Sequence, residues 1–178
     1  MKARLPLLVA LAGLAPMLAM AQAAPPSPKA APGTTTSRVA PAAKPGGLVA
    51  ALPVMRVHKT ATCGCCKVWV KHMENAGFRV ETRDVADLGP VKERLGVPYG
   101  KGSCHTAEVG GYFVEGHVPA ADIKRMLAEK PDAKGLTVPG MPLGSPGMEV
   151  PDGTVQPYAV ELVGRDGKTR VYSRHGKD

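Results

Sequence analysis

Thr62-Cys63-Gly64-Cys65-Cys66-Lys67-Val68-Trp69-Val70 holds three of the chain's four cysteines within four residues, and the fourth, Cys104, stands far downstream beside His105. A short strand-like run, Val54-Met55-Arg56-Val57-His58, comes just before this cluster. After it, Cys66, Trp69, Val70 and Met73 recur at i, i+3, i+4 and i+7, which predicts a helix with one apolar face. Asn75-Ala76-Gly77 supplies the stop, with a glycine suited to a left-handed cap. The cysteines therefore fall in a strand-to-helix turn and the first helical turn. Free backbone N–H groups and the helix dipole favour thiolate over thiol at such a place. A thiolate is both the nucleophile of disulfide exchange and a soft ligand for metals, so the expected chemistry is that of sulfur.

Downstream, Phe78 to Val85 alternates apolar and polar residues and predicts a second strand with one face buried. Pro90 to Leu95, with Gly96 after it, predicts a short helix. A βαβα opening of this kind implies parallel pairing of the first two strands. Residues 97–107 read as a loop. Val109 to Val118 reads as a hairpin of two short strands turning at Glu115-Gly116, with the paired glycines Gly110-Gly111 allowing close approach of backbone or ligand. Pro119 opens a third helix over Ala120–Lys130, with Ile123, Met126 and Leu127 as its buried stripe. Gly135 to Pro157 reads as a Gly/Pro-rich loop with a doubled phrase, in which Pro139-Gly140-Met141 is echoed by Pro146-Gly147-Met148. Methionines so placed serve as a lid on the core or as thioether ligands. Tyr158 to Val163 and Thr169 to Ser173, joined by Arg165-Asp166-Gly167-Lys168, predict a closing hairpin, with a frayed tail from His175.

Ahead of all this, Lys2 and Arg4 precede an apolar run from Leu5 to Met20, closed by Ala19-Met20-Ala21 and Ala21-Gln22-Ala23. That pattern predicts a secretory signal peptide over 1–23 and hence an exported, periplasmic protein. Residues 24–52 are Ala, Pro, Gly, Thr and Ser with scattered lysines, the composition of a disordered tether. One folded domain is expected over 53–178. The net charge of +8 falls to +6 once Lys2 and Arg4 are removed, and the surplus is spread along the chain. With two phenylalanines and no basic–aromatic stripe, nucleic acid is excluded as a partner, and no later segment is apolar enough to span a membrane.

In an oxidising compartment four cysteines can form two structural disulfides. Here Cys65 and Cys66 are adjacent, and a Cys63–Cys65 bridge would close a very tight ring, so neither suits disulfide geometry. Cys63 and Cys66 keep the two-residue spacing of a redox pair. Soft thiolates select Cu(I) or zinc. Structural zinc sites draw cysteines from two separated knuckles, whereas three thiolates on one turn suit bridging of several ions, so copper is the expected metal and zinc the lesser alternative.

The element order is that of an α/β, thioredoxin-like fold, a mixed sheet with flanking helices. The extra Cys65, and the lack of a proline immediately before Val109, depart from a catalytic thioredoxin. Thr62 to Cys66, Ser103-Cys104-His105-Thr106-Ala107, Val109-Gly110-Gly111-Tyr112, Glu115 to Pro119 and Pro139-Gly140-Met141-Pro142 together resemble one family. It is the uncharacterised-domain family of exported thioredoxin-like metal-binding proteins that includes the CopG-type copper-handling proteins. The resemblance spans roughly Val54 to Met148. It implies a periplasmic protein that holds Cu(I), as a polynuclear cluster, through Cys63, Cys65, Cys66 and Cys104, with a redox role. His105, His117, Met141 and Met148 are the candidates for further ligands or for groups that orient the ligands. The competing reading is a thiol–disulfide oxidoreductase using Cys63 and Cys66. His58 is expected at a surface or sheet edge, His72 in solvent and Trp69 in packing. Metal ions and periplasmic copper donors or acceptors are the expected partners.

Overall fold

The computed structural model describes residues 51–176. The expected leader and almost all of the tether lie outside that range. The elements run β1 (Met55–Lys59), α1 (Gly64–Asn75), β2 (Val80–Asp84), α2 (Gly89–Leu95), β3 (His105–Val109), β4 (Tyr112–Glu115), α3 (Ala120–Glu129), β5 (Ala133–Thr137), β6 (Tyr158–Gly164) and β7 (Thr169–His175). The seven strands make one mixed sheet in the order β2-β1-β3-β4-β5-β6-β7. β1 and β2 pair in parallel, as the βαβ opening requires, and β4 and β5 pair in parallel across α3. The remaining neighbours are antiparallel.

The two faces of the sheet differ in chemistry. One face sends Met55, Val57, Ala107, Val109, Val114 and Leu136 into a core shared with the apolar stripes of α1 and α3. Trp69, Met73, Ile123 and Met126 on those helices are fully buried. Complete burial of side chains this large contributes about 1.5–3 kcal/mol each, which is why two amphipathic helices suffice to hold this side. The other face carries a polar row. In register, Arg56 lies opposite Glu108 and His58 opposite Thr106, and Thr106 lies opposite Glu115. The short helix α2 buries no residue of its own and packs on this row through Lys92 and Arg94, which reach Glu115 and Glu108.

Several expectations are corrected. β2 is an edge strand whose residues are all partly or fully exposed, and Phe78 just ahead of it goes into the core instead. The run from His105 to Ala107 is strand, not loop, because β3 pairs on both sides, with β1 and with β4. The hairpin exists, but its turn is Gly110-Gly111. Part of the expected Gly/Pro-rich loop is β5, whose single lysine and glycine hide an inward-facing strand. His58 is buried within the sheet, with Nε2 at 2.9 Å from Glu108 Oε1. His175 is not frayed; it ends β7, stacked on Tyr158 and 2.7 Å from Asp122 of α3. Among the described residues, no helix is long and apolar enough to cross a membrane.

Candidate metal centre

Cys63 caps the N-terminus of α1, and no side chain caps the helix there. One turn on, the helix brings the Cα atoms of Cys63 and Cys66 to 5.4 Å, within disulfide range, and these two are joined. The pair that bridges is therefore the one with two residues between, and Cys65 and Cys104 remain free thiols. Cys65 Sγ lies 3.6 Å from Cys63 Sγ and 3.7 Å from Cys104 Sγ. Cys66 Sγ sits 3.5 Å from the carbonyl oxygen of Cys104. All four sulfurs fall within 4.8 Å of one another, a spacing that metal ions can bridge.

A second set of donors overlaps the first. Cys104 Sγ, His105 and His117 also present ligand atoms within 4.8 Å of one another. His117 Nδ1 donates to the carbonyl of Pro146 at 2.8 Å, so Nε2 keeps its lone pair, and that atom lies 3.0 Å from Cys104 Sγ. A backbone acceptor on one ring nitrogen is the usual device for fixing the tautomer that binds a metal through the other. His105 places Nδ1 3.4 Å from the same sulfur, while its Nε2 is buried without a hydrogen-bond partner among the described residues. Its ring lies against Trp69, with centroids 4.4 Å apart, and meets the His117 ring edge-on. Trp69 is itself fixed by Nε1–H donating to Val118 O at 3.0 Å, a packing role as expected.

Burial sets the protonation of these groups. It lowers His105 to about 3, helped by the neighbouring His117, and it lowers His117 as well, against the pull of the Pro146 carbonyl. Both imidazoles are thus held neutral, the form that binds metals. Burial, with Cys65 nearby, pushes the Cys104 thiol up to about 11. The helix-terminus argument for a ready thiolate does not extend to this cysteine, and metal must displace its proton on binding.

The loop carrying Cys104 is held from below. Glu115, fully buried on β4, accepts from Ser103 N–H at 2.6 Å and from the Thr106 hydroxyl at 2.6 Å, and it pairs with Lys92. Ser103 Oγ donates in turn to Gly140 O at 2.5 Å. Burial outweighs Lys92 and raises the Glu115 carboxyl. A second clamp closes the loop after Met141. A Cβ at Gly147, whose φ is +86°, would stand 2.7 Å from Cys65 O and 2.9 Å from Trp69 N, so only glycine permits this approach to α1. Glu149 secures it by accepting from Gly147 N–H and pairing with His72 at 2.6 Å.

Of the residues singled out in the sequence, Cys63, Cys65, Cys66, Cys104, His105 and His117 come together. Met148 follows the glycine that packs on α1 and is half-buried. Met141 is 52% exposed and lines a separate cleft with Pro139 and Tyr158. Glu115, Lys92, Pro146 and Glu149 escaped the sequence reading. Glu115 was the accessible one, being a carboxylate that ends the otherwise apolar run Tyr112-Phe113-Val114.

Fold and site together define an α/β protein with a cysteine–histidine cluster that could hold a metal ion. Two solved structures of a copper resistance protein, copG in Form 1 and in Form 2, are each 50% identical to this chain with a TM-score of 0.66. The matches cover 70% of this chain, and 99% and 98% of theirs. The chain belongs to the family of these copper resistance proteins. A family model described as "Protein of unknown function, DUF411" matches residues 101–148, from the Cys104 loop to Met148. No curated protein matches the chain.

Proposed function

We propose that this is an exported copper-binding protein that holds Cu(I) through Cys63, Cys65, Cys66 and Cys104 and serves copper handling or resistance. The observation that carries the reading is the convergence of four sulfurs within 4.8 Å in a relative of copper resistance proteins. Thiolates crowded on one helical turn can each bridge two ions, so a polynuclear cluster is the expected form. His117, with its lone pair on Cys104, and His105, whose Nδ1 lies 3.4 Å from the same sulfur, complete the donor set. Met148 is the better placed of the two methionines. Using all four cysteines requires the Cys63–Cys66 bridge to be opened by two electrons and two protons from an external reductant. The residues then suit a soft cation, and copper is the cargo.

The finer features of the reading are a thioredoxin-like arrangement, a leader over 1–23, a tether over 24–52 and a periplasmic location. The β1-α1-β2 unit, with a disulfide at the N-terminus of α1, supports the first of these. The same disulfide favours a second reading, thiol–disulfide exchange by Cys63 and Cys66. An anaerobic Cu(I) titration of the reduced protein against a competing chelator, run beside an insulin-reduction assay, separates the two. Stoichiometric copper uptake without insulin turnover is the expected result. Turnover without tight uptake would reverse the order.

A further inference from the structure

The two donor sets meet only in Cys104. One is the four sulfurs, two of which, Cys63 and Cys66, are joined to each other at the start of α1. The other is Cys104, His105 and His117, and it draws on no residue of α1. The β3–β4 hairpin assembles it. Gly116 N–H donates to His105 O at 3.0 Å where the two strands part. A Cβ at Gly116, whose φ is +72°, would stand 2.5 Å from Ser103 Cβ and 2.7 Å from Val138 O, so only glycine lets the chain turn here. The next residue is His117, and the turn leaves its Nε2 3.0 Å from Cys104 Sγ. These three donors therefore stand in place while the Cys63–Cys66 bridge is closed.

Closing the bridge affects the two sets unequally. A sulfur held in a disulfide has no thiolate charge to offer a metal, so the four-sulfur set keeps only Cys65 and Cys104 as thiols. The second set loses nothing. One thiolate and two imidazoles form a donor set that suits a single copper ion. Cys65, 3.7 Å from Cys104 Sγ, lies outside this set and stays beside it as a free thiol. The two imidazoles differ in strength. Pro146 O holds the His117 proton on Nδ1 and so frees Nε2 to bind. Binding through His105 Nδ1 instead puts a proton on a buried Nε2 that has no acceptor among the described residues, which costs free energy.

We infer, on the copper-binding reading above, that the Cys63–Cys66 bridge sets how much copper the chain holds. With the bridge open, all four thiolates share a polynuclear cluster. With it closed, one ion remains, on Cys104, His117 and, more weakly, His105. The bridge opens when an external dithiol passes it two electrons and two protons and itself becomes a disulfide. It closes by the reverse exchange with an external disulfide. Closure on a loaded chain takes Cys63 and Cys66 away from copper, and the ions they held leave the site. Those ions stay Cu(I), because both electrons come from the sulfurs.

Native mass spectrometry of the full chain, loaded anaerobically with Cu(I) from a chelator buffer, tests this in both redox states. The bridged state is verified by alkylation at Cys65 and Cys104 alone. It is expected to hold one copper, and the dithiol-reduced chain more than one. Cys63→Ser combined with Cys66→Ser removes the same two thiolates without a bridge and should also hold one. In the bridged chain, His117→Ala and Cys104→Ser should each weaken copper at least about tenfold. His105→Asn should weaken it less than His117→Ala, and Cys65→Ser not at all. Histidines that serve only as hydrogen-bond partners of the Cys104 thiol predict a bridged chain without copper. That result, at a chelator level that loads the reduced chain, would overturn the inference and leave the copper-binding reading standing. Equal copper counts in the two states would do the same. Loss of the ion in Cys65→Ser with retention in His117→Ala would overturn the assigned ligands, and a reduced chain that takes no copper would overturn both readings.

Discussion

Glu115 shows how one residue can govern a site it does not touch. Its carboxylate ties the Ser103 backbone, Thr106 and Lys92 together beneath Cys104. Glu115→Ala strands a largely buried lysine, and breaking such a pair costs about 3–5 kcal/mol. Because Lys92 keeps some solvent contact, the lower end is expected, read from urea unfolding. Lys92→Met combined with Glu115→Met should lose less than the two singles add up to, as a coupled pair must. Additive losses would show that the pair does not act as a unit. His117 makes the complementary case. Its Nδ1–H holds Pro146 and its Nε2 faces Cys104, so His117→Ala should both weaken Cu(I) retention against a chelator and expose Cys104 to thiol reagents. Unchanged retention would remove His117 from the donor set.

Among the elements, β3 joins the site to the polar face, and its Glu108 gives a pH signature. Arg94 and, after it, His58 hold the Glu108 carboxyl at about 2, against an ordinary 4.5, while burial opposes them. A depressed carboxyl stabilises the fold fully above its unfolded value, and that stability is lost as pH falls through the folded one. The window is therefore pH 4.5 to about 2, and the contribution is at most about 3 kcal/mol. Urea midpoints on both sides of the window should fall with acid in the natural chain, and less steeply in Glu108→Gln. Parallel pH profiles would contradict this linkage. The elements also show what the sequence made legible. Cys66, Trp69, Val70 and Met73 are the buried positions of α1, as their spacing predicts, and the parallel β1–β2 pair follows from the βαβ order. β5 was hidden because Ala133-Lys134-Gly135 offers neither alternation nor branched residues, and it forms only by pairing with strands on both sides. The donor cluster was legible in its cysteines, which are local in sequence. The Pro146 and Glu149 contacts were not, because a backbone carbonyl and a loop carboxylate leave no pattern until the loop closes on α1.

At the scale of the whole molecule, the apolar core draws on β1, β3, β4, β5 and β6 together with α1 and α3, and among the described residues none of its buried members precedes Met55. A chain beginning at Leu52 should therefore fold, with circular dichroism per residue and Cu(I) uptake matching the longer protein. Loss of secondary structure on that truncation would show that the tether belongs to the fold. The central claim concerns the union of two distant stretches, the cysteine turn and the Cys104 loop, into one metal site. Native mass spectrometry of the reduced protein loaded anaerobically with Cu(I) tests it most directly, because mass counts ions. The expected result is more than one copper per chain, and fewer in Cys104→Ser with the fold intact. The same copper count in Cys104→Ser as in the natural chain would contradict a single four-cysteine centre.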